Sequence, residues 1–169
     1  FGVHGWNVFI GDLDVDGDLD VSAFVSTEQI TMFVEYLNKG ALVFGGQHEF
    51  LIEDAVILED QFADVDNDGD VDMIARDING FYFSVFLNNG KGVFDFLSSF
   101  GGGVFYATGV RGDMDGDHDL DWIASQYSPS EVVWLNDGSG LFSPHPIPPN
   151  LTTSVNRNVL GDEDGDEDL

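Results

Sequence analysis

Four runs of this chain carry aspartate at alternate positions. They are Asp12-Leu-Asp14-Val-Asp16-Gly-Asp18-Leu-Asp20, Asp64-Val-Asp66-Asn-Asp68-Gly-Asp70-Val-Asp72, Asp113-Met-Asp115-Gly-Asp117-His-Asp119-Leu-Asp121 and Asp162-Glu-Asp164-Gly-Asp166-Glu-Asp168. Carboxylates packed this closely repel one another, by about 0.7 kcal/mol per pair at roughly 6 Å in water. A loop that carries ten such pairs calls for a cation to sit in it. The oxygens are hard, and neither His nor Cys stands at ligand spacing, so the expected ion is Ca2+. Three complete sites are expected, and a fourth that stops at Leu169, short of its ninth position.

The elements that hold these loops are strands. An EF-hand also opens Asp-x-Asp-x-Asp-Gly, but it needs a bidentate Glu at position twelve and a helix on each side. Position twelve here is Ala23, Ala75 and Ala124, whereas position nine is Asp20, Asp72 and Asp121. The flanks, Asn7-Val-Phe-Ile10 and Val21-Ser-Ala-Phe-Val25, are short, β-branched and aromatic. A nine-residue loop closing a β-hairpin follows. Side-chain oxygens are expected from positions one, three, five and nine, with a backbone carbonyl from position seven.

The loops recur with the rest of their surroundings. First aspartates at 12, 64, 113 and 162 give periods of 52, 49 and 49 residues, the mark of a repeat architecture. Each loop is followed by Tyr36-Leu-Asn38-Lys-Gly40, Phe86-Leu-Asn88-Asn-Gly90 or Trp134-Leu-Asn136-Asp-Gly138, then by Phe44, Phe94 or Phe142. Units at about 12–63, 64–112 and 113–161 result, with 1–11 as a preceding strand and 162–169 as the start of a further loop. The middle unit reads as strands near 71–76, 80–87, 92–97 and 102–111. Asn-x-Gly supplies turn residues that tolerate positive φ. Leu42 stands where the other units have Gly92 and Gly140, so the first turn is expected to differ. Pro144, Pro146, Pro148 and Pro149 restrict their stretch to an edge strand. Four antiparallel strands in about fifty residues is the size of one propeller blade. The fold class is therefore all-β: a β-propeller fragment of three four-stranded blades and the opening of a fourth.

Composition narrows the function. The chain has 169 residues, 43% hydrophobic and 13% aromatic, enough for a substantial core. Five acids in each of the first three runs and six in the last make 21 of the 32 acidic residues. The formal charge of −27 is thus mostly metal-site charge. It argues against nucleic acid or an anionic membrane as partner. There is no cysteine, hence no disulfide or thiolate chemistry. No apolar run of about eighteen residues offers a transmembrane helix. Both ends read as cut from a longer protein.

The aspartate loop, the strand after it, aromatic-Leu-Asn-x-Gly and the following Phe together resemble the FG-GAP/VCBS repeat family, the blade type of integrin α-subunit propellers and of many secreted bacterial proteins. The resemblance spans nearly all of residues 5–169. It implies that the loop joins the first two strands of a blade and holds Ca2+ there. Carried onto this chain, the ligands are Asp12, Asp14, Asp16 and Asp20; Asp64, Asp66, Asp68 and Asp72; Asp113, Asp115, Asp117 and Asp121. The carbonyls of Asp18, Asp70 and Asp119 complete the shells, and Asp162, Asp164 and Asp166 begin the fourth. The third and fourth loops depart from the pattern. His118 and Glu167 stand at the sixth position, where Gly17 and Gly69 stand in the first two, and Gly116 and Gly165 occupy the fourth. A non-glycine at a positive-φ turn costs about 1 kcal/mol, so the third site is expected to be weaker or reshaped.

Other features carry less. Arg111-Gly112-Asp113 spells an adhesive tripeptide, but Asp113 opens the third metal loop. Asn150-Leu-Thr152 matches a glycosylation acceptor. Trp122 and Trp134 replace core positions of the other units. His4, His48, His118 and His145 occupy unrelated places in the repeat. No Ser/His/Asp, Cys/His or phosphate-loop arrangement occurs. The expectation is a Ca2+-stabilised extracellular module, secreted or at the cell surface, that recognises a protein or a carbohydrate and does no catalysis itself. Further blades, or other copies of the chain, are needed to complete the ring. The alternative is part of a secreted polysaccharide-degrading, lyase-like enzyme. Such an enzyme would want basic residues around an acidic sugar, and only Lys39, Lys91, Arg76, Arg111 and Arg157 are present.

Overall fold

Alternating β-branched and aromatic residues on either side of each aspartate run build twelve strands. The computed structural model describes residues 4–26, 31–52, 60–77, 81–101, 106–126 and 132–146. The first sheet contains β1 (His4–Gly11), β2 (Asp20–Ser26), β3 (Thr31–Asn38) and β4 (Phe44–Ile52). The second contains β5 (Asp60–Ala63), β6 (Asp72–Arg76), β7 (Tyr82–Asn88) and β8 (Phe94–Gly101). The third contains β9 (Tyr106–Gly112), β10 (Asp121–Gln126), β11 (Val132–Asn136) and β12 (Phe142–His145). Each sheet is an antiparallel meander in chain order. The described residues contain no helix.

Each aspartate loop closes the first hairpin of its sheet. Gly11 pairs with Asp20, Ala63 with Asp72 and Gly112 with Asp121, so the ninth aspartate is also the first residue of the second strand. The sheets are therefore offset from the sequence repeat, because the strand before each loop pairs with the strand after it. Equivalent rungs repeat from sheet to sheet: Val21 opposite Tyr36, Met73 opposite Phe86, and Trp122 opposite Trp134.

The sheets pack face to face in chain order. Leu13, Phe24, Phe33 and Leu37 of the first meet Phe62, Met73, Ala75, Phe86 and Phe94 of the second in one buried cluster. Phe9 stacks on Phe62 across that junction at 3.8 Å between ring centroids, and Phe33 meets Phe94 edge-on at 5.3 Å. The second cluster joins Val65, Ile74, Phe83, Val85 and Phe100 to Trp122, Ala124 and Trp134. Both tryptophans are core residues, as their places in the repeat suggest. A fully buried Phe or Leu is worth about 1.5–3 kcal/mol, so these clusters dominate the cohesion of the sheets. Pro144 lies in β12, the edge strand of the third sheet, where proline is tolerated. The fourth aspartate run and the Asn150 motif lie outside the described residues.

Candidate metal centres

The ninth aspartate anchors each loop. Asp20, Asp72 and Asp121 are fully buried. In each, one oxygen accepts the backbone N–H of the loop's second residue: Leu13 at 2.7 Å, Val65 at 2.9 Å, Met114 at 2.8 Å. The other accepts the N–H of the asparagine that ends the third strand: Asn38 at 2.7 Å, Asn88 at 2.8 Å, Asn136 at 2.8 Å. The first aspartate caps the far side of its own loop. Asp12 accepts from Gly17 N at 2.9 Å, Asp64 from Gly69 N at 3.0 Å and Asp113 from His118 N at 2.9 Å.

These anchors bring the first, third and ninth carboxylates together. Asp12, Asp14 and Asp20 form one triad, Asp64, Asp66 and Asp72 a second, and Asp113, Asp115 and Asp121 a third. Within each triad the oxygens lie within 4.8 Å of one another. Ligands on opposite sides of one Ca2+ stand about 4.6–5.2 Å apart, so this spread suits a single ion. The fifth aspartates stand outside the triads. Asp16, Asp68 and Asp117 each turn an oxygen onto the N–H of the seventh residue at 2.9, 2.9 and 3.0 Å. Seventh-position carboxylates turn toward the Asn-x-Gly turn: a methyl group on Gly90 or Gly138 would meet Asp70 or Asp119 at 2.6 Å.

Electrostatics show what the clusters lack. Burial pushes the Asp72 carboxyl up to about 6, against its two backbone hydrogen bonds, with further repulsion from Asp66 and Asp68. Asp121 is raised for the same reasons. Asp14 Oδ1 and Asp64 Oδ1 are buried and accept no hydrogen bond from the described residues. Buried, unsatisfied carboxylate oxygens are costly, and a divalent ion satisfies several at once. One triad already draws a cation from the chain: Lys39 Nζ lies 2.5 Å from Asp14 Oδ2. Asn89 and Asp137 stand at the equivalent positions, so only the first loop has this ammonium. The donor set and geometry fit a hard divalent metal.

The third loop is not reshaped in the way its His118 suggests. Two positions, the fourth and the sixth, are left-handed in every described loop: Val15 (φ 57°) and Gly17 (91°), Asn67 (60°) and Gly69 (94°), Gly116 (78°) and His118 (73°). Each loop places glycine at one of the two, so the strain moves between positions and is not added. The turn after β3 differs at Ala41 (φ 54°), left-handed where Lys91 and Ser139 are not, while Leu42 (61°) keeps the left-handed backbone of Gly92 (70°) and Gly140 (76°).

Glu35 lies outside the aspartate loops and occupies the place of Val85 and Val133. It is buried, its Oε1 lies 2.6 Å from His48 Nδ1, and its Oε2 has no partner among the described residues. Burial pushes its carboxyl up to about 7, His48 opposing and Asp20 and Asp14 adding to the rise. Compared with known proteins, the chain matches no family model and no curated sequence.

Proposed function

We propose that this chain is a Ca2+-binding β-propeller module of the FG-GAP/VCBS type, in which the metal is structural and the propeller presents a recognition surface outside the cell. The observation that carries the reading is the threefold recurrence of one carboxylate triad, each held by the same two backbone amides. Asp12, Asp14 and Asp20, with their equivalents, would hold the ion. Its charge would offset the mutual repulsion of each loop. Four-stranded meanders stacked face to face in chain order are what propeller blades are made of, which supports the architecture. Extracellular placement is part of the proposal and agrees with the metal reading, since Ca2+ sites of the affinity usual in extracellular modules fill where Ca2+ is near millimolar.

Chelation tests the structural role. Each site lost removes RT ln(1 + [L]/Kd), about 1.4 kcal/mol per site at ten times Kd. The melting temperature should fall in EDTA and recover with added Ca2+. An unchanged melting curve would contradict the proposal.

A further inference from the structure

The three triads are joined by an unbroken run of hydrogen bonds that crosses both sheet junctions. Asn88 Nδ2 donates to the carbonyl of Leu13, in the preceding unit's loop, at 2.8 Å and to Val71 of its own loop at 3.2 Å. Asn136 repeats the arrangement, to Val65 at 2.7 Å and to Leu120 at 3.3 Å. Both asparagines are buried. Their orientation is forced, because carbonyls only accept, while Asn88 Oδ1 accepts from Asn89 N and Asn136 Oδ1 from Gly140 N. Leu13 and Val65 are the same residues whose N–H groups hold Asp20 and Asp72. The run therefore reads Asp20, Leu13, Asn88, Asp72, Val65, Asn136, Asp121. A second link lies on the loop surface, where Asn67 Nδ2 donates to Asp119 Oδ1 at 2.6 Å.

Capping its own turn would explain an asparagine at this place, and Asn38 does that alone. Its Oδ1 accepts from Gly40 N, and among the described residues its Nδ2 reaches only Leu19 of its own loop. Asn88 and Asn136 do more. Each holds the carbonyl of the residue whose N–H orients the ninth carboxylate of the preceding site, while its own N–H holds that of its own site.

Resting on the metal reading above, we propose that Asn88 and Asn136 are positioning residues shared between neighbouring metal sites, so that an ion bound in one loop raises the affinity of the next. An ion that immobilises Asp72 immobilises Asn88, and through it Leu13, which bonds Asn88 by its carbonyl and Asp20 by its N–H. By linkage the effect runs equally in both directions.

Each loop carries a glycine amide that reports its own site: Gly17 N donates to Asp12, Gly69 N to Asp64 and Gly116 N to Asp113. In a Ca2+ titration of the 15N-labelled chain, these three resonances should shift together with one midpoint. In Asn88→Ala, Gly17 should separate from the other two, to a midpoint about fivefold higher. In Asn136→Ala, Gly116 should separate. Asn38→Ala should leave the midpoints coincident. If a buried variant does not fold, the exposed Asn67→Gly change serves, and should part Gly116 from Gly69. Independent midpoints in the wild type, or equal shifts of all three in every variant, would overturn the coupling and leave the metal reading standing. No response of any of the three glycines to Ca2+ would overturn both.

Discussion

Asp72 is the fully buried carboxylate of its loop, and it holds two backbone amides where Asp64 holds the one of Gly69. It belongs to the second triad, and its oxygens hold the N–H groups of Val65 and Asn88. Asp72→Ala should therefore cost more stability than Asp64→Ala, and both should cost more than Asp70→Ala, whose carboxylate lies against the Gly90 turn. Two stranded buried amides alone are worth about 2–6 kcal/mol. Urea unfolding in the presence of Ca2+ checks the order. Protons supply a second residue-scale test. Glu35 is pushed up to about 7 and Asp72 up to about 6, whereas in the unfolded chain they titrate near 4.3 and 3.9. Between these values the folded chain holds more protons than the unfolded one. The stability from this source is complete below about pH 4 and is lost as pH rises through 6 and 7. In EDTA the melting temperature should thus rise as pH is lowered from 8 to 5, and Glu35→Gln should flatten the upper part of that rise. With saturating Ca2+ the trend should reverse, because protons then compete with the metal for the same oxygens. A melting temperature that climbs with pH in EDTA would contradict the assignment.

At the scale of the element, each loop is a nine-residue turn with two left-handed positions and one glycine to place there. Val15 is the strained partner in the first loop, β-branched, 56% exposed and at φ 57°. Val15→Gly loses little packing and relieves that strain, so it should stabilise the chain by about 1 kcal/mol in urea unfolding, net of the freedom glycine adds to the unfolded state. Much of the element plan was legible beforehand. Alternating aspartates marked the loops, β-branched and aromatic flanks marked the strands, and the forty-nine-residue recurrence marked the sheets. What the spacing could not show was direction. Nothing in Asp-x-Asp-x-Asp says that the ninth carboxylate is held by two amides from different elements. Nor does it say that the fifth turns back onto its own loop. The asparagines at 38, 88 and 136 read as turn residues, and the reach of Asn88 and Asn136 into the preceding unit's loop appears only once the sheets are stacked. Glu35 did leave a signal, a carboxyl where the other units have valine.

For the whole molecule the decisive feature is a face without a neighbour among the described residues. Val8, Ile10, Tyr36 and Leu51 share one face of the first sheet by register and are 68%, 60%, 42% and 58% exposed. In the second sheet Phe62 and Phe86 stand at the places of Ile10 and Tyr36, and there they are 6% and 7% exposed, covered by the sheet before. A repeat that buries this face in one unit leaves it sticky in another. Light scattering on the 169-residue chain should therefore report oligomers, and Ile10→Lys with Tyr36→Lys should return a monomer. A monomeric wild type would show that the face is covered within the chain. The central claim, three equivalent calcium sites, is tested most directly by isothermal titration of the metal-stripped chain. The expected result is about three Ca2+ per chain with micromolar to millimolar dissociation constants, and with Ca2+ preferred over Zn2+. No heat of Ca2+ binding, or a preference for Zn2+, would contradict it.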